Sequence, residues 1–378
     1  RGDRTSIPSL SLKQTALSLD ANYTSEYNNG VTFKTGFQTR LIDNVNNPGT
    51  GILPLIPDYI AAKTGAYVLF SHQKEHLLWE AGIRYDYVLQ NVAYLSRTFP
   101  ITVLRDQNIY HNGGGTLGLS YSLGHALSLS LNTGVASRNP EINELYSFGL
   151  HQGVSGIEEG DLNLTPEVSW KTTLSLNGDI ADALYWEVLG YLQDFNGYIY
   201  LLPQDEIRLT IRGAFPVFKY EQTDARLYGF DSYVSYAFSS ALETKVTYSY
   251  LRGIEKESGN SLLFIPSNTL QASLTYGLQK GIKLGKRELE YLSLDVDTKY
   301  VFRQSQIEDN QDFLPAPDGY FLTDCKLSGD IQFGSYRLRS ILTVSNLFNT
   351  IYRDYLNRQR YFADDLGRSI TFAVSMKF

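Results

Sequence analysis

The chain has 378 residues, of which 43% are hydrophobic, with a net charge of −7 and a pI near 5.4. No stretch approaches the roughly 18 uncharged apolar residues of a membrane helix, and the acidic balance argues against nucleic acid, whose phosphates require clustered Lys and Arg. A single cysteine, Cys325, excludes a disulfide scaffold and a thiolate metal cluster, while 28 Tyr and 31 Gly beside 1 Met favour aromatic strands punctuated by turns.

Strands are read from apolar and polar residues alternating with period two, because successive side chains point to opposite faces of a sheet. In chain order they are expected at 11–24, 31–42, 63–71, 77–90, 116–124, 126–136, 167–178, 184–202, 226–238, 241–251, 268–280, 288–302, 319–333, 336–348 and 368–378. From Leu78 onward, Trp79, Ala81, Ile83, Tyr85, Tyr87 and Leu89 share one face, while Glu80, Gly82, Arg84 and Asp86 share the other. Leu127, Leu129, Leu131, Thr133 and Val135 alternate with Ser128, Ser130, Asn132 and Gly134, and the pattern returns from Ser369 to Phe378. Such segments run about ten residues, the length that crosses a bilayer when a strand is tilted. Outward aromatics near their ends, such as Tyr23, Trp79, Tyr87, Tyr248 and Tyr250, suit interfacial girdles.

The connections alternate between short and long, as membrane barrels alternate periplasmic turns with extracellular loops. Short turns fall at Tyr27-Asn28-Asn29-Gly30, Gly124-His125, Gly178-Asp179, Ser239-Ser240 and Gly334-Ser335. Long loops are expected at 43–62, 91–115, 137–166, 203–225, 252–267, 303–318 and 349–367. No motif repeats at a fixed period, which argues against a propeller. The strand count is fifteen, whereas a closed single-chain barrel of this kind needs an even number. The expectation is therefore a fragment, residues 1–378 forming the C-terminal portion of one transmembrane antiparallel β-barrel, with the last strand descending so that Phe378 lies at the periplasmic side.

Three segments carry a family resemblance. Arg138-Asn139-Pro140-Glu141-Ile142-Asn143-Glu144-Leu145-Tyr146 precedes Gly160-Asp161-Leu162-Asn163-Leu164-Thr165-Pro166-Glu167, and Val344-Ser345-Asn346-Leu347-Phe348-Asn349-Thr350-Ile351-Tyr352 precedes the terminal strand. In order and spacing these resemble TonB-dependent outer-membrane receptors, with a weaker match at Asp224 to Asp231. The resemblance implies about strands 8–22 of a 22-stranded barrel, an N-terminal plug and first strands outside this chain, and coupling through that plug to the TonB-ExbB-ExbD complex. It implies the outer membrane of a Gram-negative bacterium, surrounded by lipopolysaccharide and outer-membrane lipid, and a terminal Phe378 read as an assembly signal.

The resemblance places substrate at the extracellular loops. In the 137–166 loop, Arg138, Glu141, Tyr146 and His151 are candidates. A neutral His151 imidazole suits haem iron or zinc, but a lone histidine without spaced partners is more simply a loop hydrogen bond, so no metal site is assigned. The acids Glu141, Glu144, Glu158, Glu159 and Asp161 of the same loop suit either a bound cation or a structural role holding the loop near the lipopolysaccharide layer, and the structural role is the simpler. In the last loop, Tyr355, Arg358 and Arg360, flanked by Arg353, Arg368, Tyr352 and Tyr361, form a set suited to gripping an anionic chelate by charge and stacking; pairing with Asp364 and Asp365 is the competing role. No resident cofactor is expected.

The function expected is active uptake of a scarce nutrient, an iron–siderophore or related metal chelate first, with haem, zinc, cobalamin or a glycan behind it. A passive porin or fatty-acid channel of about 14 to 16 strands is the alternative. An outer-membrane enzyme is the third, disfavoured because no Ser/His/Asp grouping is evident and because His72, His76 and His125 fall in expected periplasmic turns.

Overall fold

A computed structural model describes residues 8, 10–50, 53–124, 126–181, 183–210, 212–278, 282–284, 287–308, 310–333 and 336–377. The expected positions at Phe378 and His125 lie outside the described residues.

The first strands are β1 (Leu12–Glu26), β2 (Val31–Asn46), β3 (Asp58–Lys74), β4 (Leu77–Leu95), β5 (Val103–Leu123) and β6 (Leu127–Arg138). An excursion follows, comprising helix α1 (Ile142–Tyr146) and two short strands, β7 (Phe148–His151) and β8 (Gly156–Glu159). The wall resumes with β9 (Glu167–Ile180), β10 (Leu184–Thr210), β11 (Gly213–Ser239), β12 (Leu242–Glu255) and β13 (Thr269–Leu278). After the short β14 (Ile282–Leu284) come β15 (Arg287–Val301), β16 (Tyr320–Phe333), β17 (Tyr336–Ser345) and β18 (Ser369–Lys377). Setting β7, β8 and β14 aside, fifteen long strands remain among the described residues, one for each expected from the dyad pattern.

Each long strand pairs antiparallel with the next, so the wall is a meander from β1 to β18. Among the described residues no pairing joins β1 to β18. The dyad sorts the two faces as the sequence implies. On β4, Ile83 and Tyr85 are 69% and 51% exposed, whereas Asp86 on the opposite face is 7% exposed. Outward apolar side chains stay exposed along the wall, the arrangement that a bilayer rather than a protein core would cover.

Two expected loops turn out to be ribbon. The segment 91–115 is mostly β4 and β5, which stay paired as far as Leu95↔Val103, and 203–225 is the end of the β10–β11 hairpin, paired to Thr210↔Gly213. The pairing outruns the apolar dyad because both faces become wet beyond the membrane: Asp205, Glu206 and Arg208 break the alternation that marked the lower strand. A bulge at Asn196-Gly197 separates the two parts of β10. His72, expected in a turn, lies in β3, its ring 6.0 Å from Trp79.

The protein's own apolar core sits at the mouth. Val92 of β4, Ile199 of β10 and Ile142, Leu145, Tyr146 and Leu164 of the 137–166 excursion form one buried cluster. Phe195, Ala225, Leu262 and Ile265 form another beneath the 252–267 loop. Burial of side chains this size stabilises by about 1.5–3 kcal/mol each, so the loops are held down on the wall as a cap.

Candidate functional site

The 137–166 excursion is built by its two motif halves. Glu141 caps α1 in a reciprocal capping box with Glu144, whose carboxylate accepts from the Glu141 backbone N–H at 2.7 Å. Arg138 pairs with that same Glu144 at 2.9 Å and with Glu167 at 3.1 Å. The second half docks through backbone bonds, Gly160 N–H to Ser147 O at 2.7 Å and Asp161 N–H to Glu144 O at 2.9 Å. Gly160 is required by this approach, since a Cβ there would lie 2.5 Å from the Leu145 carbonyl. Arg97 locks the seam from the β4–β5 side, donating to Gly160 O at 2.8 Å.

Tyr146 packs at a tilt against Tyr94 with ring centroids 4.9 Å apart, accepts from Asn108 at 2.8 Å and donates to Asp106 at 3.3 Å. Burial pushes its phenol up to about 12, with Asp106 adding to the shift against the opposing Asn108 bond. The Asn-Leu-Phe-Asn segment has an equally architectural role. Asn346 exchanges two hydrogen bonds with the Thr350 backbone, both at 2.8 Å, and Asn349 accepts from the Arg368 N–H at 2.9 Å. Both asparagines adopt positive φ, 51° and 54°, which Asn tolerates better than most residues.

Two loops remote in sequence meet at Glu158, which is 4% exposed. Its Oε1 lies 2.9 Å from His151 Nδ1 and accepts from Arg358 Nη2 at 2.5 Å. Gln359 donates to Gly153 O at 2.6 Å, a second tie between the 137–166 and 349–367 loops. The Arg358 guanidinium also lies 4.9 Å from the Phe218 ring centre, and β8 itself pairs parallel with β11 over Val217–Lys219. Arg208 on the hairpin binds Glu159 at 2.6 Å. His151 thus has the ordinary loop hydrogen bond weighed against a metal role. Among the described residues no group of three or more His, Cys, Asp or Glu is placed to hold a metal ion.

Arg360 occupies a different setting. It is 2% exposed, bonds the Asp312 carboxylate and the Tyr355 and Pro315 carbonyls, and lies between the Tyr355 and Tyr361 rings at 5.1 and 4.7 Å. Tyr361 donates to Asp312 at 2.6 Å, and burial together with that carboxylate holds its phenol above the usual range. Arg353 pairs with Asp364 at 2.6 Å, and Asp365 accepts from the Asp354 N–H and from Asn357.

The expected residues therefore divide. Arg138, Tyr146, Tyr355 and Arg360 are engaged in holding the cap; Glu141 is an exposed helix cap; His151 and Arg358 converge on Glu158 with the His151 side chain 43% exposed. Sequence reading missed Asp312, Phe218 and Arg97, none of which carries a local pattern.

The family model described as "TonB dependent receptor-like, beta-barrel" matches residues 2–365. No curated protein matches the chain. Among solved structures, the fold is similar to a copper transporter, OprC, at 18% identity and TM-score 0.75, covering 96% of this chain and 56% of that one. It is similar to the ferric-catecholate import receptor Fiu from K12 E. coli at 16% and 0.66, covering 97% and 55%. It is also similar to the FrpB iron transporter from Neisseria meningitidis at 16% and 0.65, covering 96% and 55%. The chain spans little more than half the length of these structures.

Proposed function

The chain belongs to the TonB-dependent receptor β-barrel family, and from that premise we propose that it supplies much of the barrel and mouth of an outer-membrane transporter for a metal chelate, an iron–siderophore first. The family consists of transporters and receptors rather than enzymes, and the match over residues 2–365 does not favour a passive porin. In this reading the remaining strands of a 22-stranded barrel and a plug complete the transporter, and TonB-ExbB-ExbD acts on the plug to release cargo.

The observation that carries the reading is the convergence of two extracellular loops on Glu158. Arg358 and His151 sit at that junction, with the Arg358 guanidinium over the aromatic ring of Phe218. An anionic chelate suits this chemistry better than a bare ion, because guanidinium and aromatic groups bind planar anionic faces whereas a bare ion needs several spaced ligands. Cargo arriving at the mouth exchanges the Glu158 carboxylate for its own oxygens at Arg358, which loosens the tie between the loops. Arg138, Glu141 and Tyr146 support the outer loop, and Tyr355 and Arg360 the last one, as positioning residues.

The test is growth of a receptor-deficient strain, carrying the full-length receptor, on a panel of defined iron sources with and without TonB. One class of ferric chelate is expected to restore growth, and only with TonB present. Rescue that persists without TonB, or growth on none of the metal sources, overturns the reading.

A further inference from the structure

Beneath the 137–166 excursion the inner wall carries two cations face to face. Arg40 of β2 and Lys63 of β3 are register partners. Phe37 and Leu41 of β2 are exposed on the lipid side, at 43% and 46%, which puts Arg40 on the lumen side. The same row continues with Val88 of β4, which is 4% exposed. Ala61, the inward residue of β3 above Lys63, packs against the cap cluster of Ile142, Leu145 and Tyr146. At about 3.3 Å per residue the pair lies about 7 Å below the underside of the cap.

Side chains directly opposite on one face stand about 4.5–5.5 Å apart at Cβ, and like charges placed so are destabilising. The row below shows the opposite solution. Asp86 takes Arg84 on both its oxygens, at 2.8 and 2.6 Å; Arg84 also donates to Gln38 at 2.8 Å, and Gln38 to Asp20. Gly65 leaves room for that carboxylate, since a Cβ there would lie 2.0 Å from Asp86 Oδ1. Elsewhere on the inner wall Arg138 pairs with Glu144 and Glu167, and Arg337 and Arg339 with Asp330. Arg40, by contrast, has no ion pair or hydrogen bond among the described residues. Lys63 reaches the already occupied Asp86 only at 4.0 Å, and its side chain is 53% exposed. Glu141, on the cap, feels the charge of Lys63 without pairing to it.

Two cations without a counter-charge on a concave, low-dielectric wall focus the field and concentrate anions. The guanidinium offers a planar fork for two adjacent oxygens, and the ammonium a compact charge beside it. The matching ligand therefore presents paired anionic oxygens, as a carboxylate or a catecholate does. Passage also needs a place to move to, because one tight site by itself holds a ligand rather than handing it on.

We propose that Arg40 and Lys63 form a second station on the inner wall, where paired anionic oxygens of the chelate rest after cargo leaves the Glu158 junction. The occupant rests on the transport reading above; the site rests on the two cations themselves. At rest the pair stays unneutralised, and the cargo supplies the missing charge.

The test uses the full-length receptor carrying Arg40→Gln, Lys63→Gln or, as a control lower on the same face of β2, Lys34→Gln. Without cargo, Arg40→Gln is expected to raise the denaturation midpoint in detergent at low salt, since it relieves repulsion and breaks no bond. A lowered midpoint would reveal a resident carboxylate, such as one from the plug, and an unchanged one would show no repulsion; either overturns the station. In cells, TonB-dependent uptake of the ferric chelate that restores growth is followed against its concentration. Arg40→Gln and Lys63→Gln are each expected to lower the maximal rate about tenfold while the half-saturating concentration stays within about twofold of the wild type. Arg40→Lys is expected to recover most of the rate. An unchanged maximal rate, a change in half-saturation alone, or equal slowing by Lys34→Gln overturns the proposal. A wild type without TonB-dependent uptake sinks the transport reading and this occupant together, whereas a wild type that transports beside variants that match it sinks the station alone.

Discussion

In the wall, Ile83 and Leu131 stand 69% and 44% exposed; in the cap, Leu145 and Leu262 are 2% and 1% exposed. The same kind of side chain is turned outward in one region and inward in the other because the two have different solvents. The wall borrows its apolar environment from the bilayer and holds itself together by an uninterrupted ladder of backbone bonds. The cap stands in water and must make its own core, so it closes with Val92, Ile142, Tyr146 and Ile199 and with buried charge pairs such as Arg360–Asp312.

That contrast predicts where each region breaks. The largest effect is expected for Asp312→Ala, which leaves Arg360 buried without a counter-charge at a cost of about 3–5 kcal/mol. Hydrogen exchange should accelerate across residues 355–362 while the heat-resistant migration of the barrel in gels stays unchanged; loss of that migration would mean cap and wall are not separable. Next comes Leu131→Arg on the lipid face, expected to destabilise the barrel in bilayers by roughly 2–4 kcal/mol. Denaturant titration in vesicles reads this, and an unaltered midpoint would contradict the assignment of that face.

Glu158→Gln is smaller. It weakens charge-assisted bonds to Arg358 and His151 at about 1.5–3 kcal/mol, and exchange should rise at 151–159 and 357–360 together. A rise on one loop alone would show that Glu158 does not join them. The smallest effect is an alkaline one at Tyr146. Its phenol is raised to about 12 in the folded protein, so the stabilisation it gives is fully present below about pH 10, the ordinary tyrosine value, and is lost as pH rises through the folded value. Protection at 142–147, taken relative to the base-catalysed rate of the unfolded chain at each pH, should fall over that window in the wild type and stay level in Tyr146→Phe.

The wall was legible in the sequence and the cap was not, for a physical reason. Leu127, Leu129 and Leu131 reveal a strand because lipid on one side and a wet lumen on the other impose a period of two. Above the membrane both faces of the β10–β11 ribbon are wet, the period disappears at Asp205 and Glu206, and 203–225 reads as a loop although it is paired. The cap's ties have no period at all: Glu158 and Arg358 are 200 residues apart, and Arg360 and Asp312 are 48 apart. The motif residues Arg138, Glu144, Glu167 and Asn346 were visible as a pattern, yet the bonds they make to one another and to nearby backbone could not be read from residue type alone.

The central claim is that cargo passes where the two loops meet at Glu158. Gly153→Cys with Gln359→Cys, in a Cys325→Ser background, places one thiol on each side of that junction, where the Gln359 side chain donates to the Gly153 carbonyl at 2.6 Å, and a short bis-thiosulfonate cross-linker spans the gap left by the shorter cysteine side chains. Uptake of the ferric chelate that supports growth is the measurement. The account predicts that cross-linking stops uptake and that a reductant, which releases the cross-linker's disulfides, restores it; uptake that continues with the loops cross-linked would contradict it.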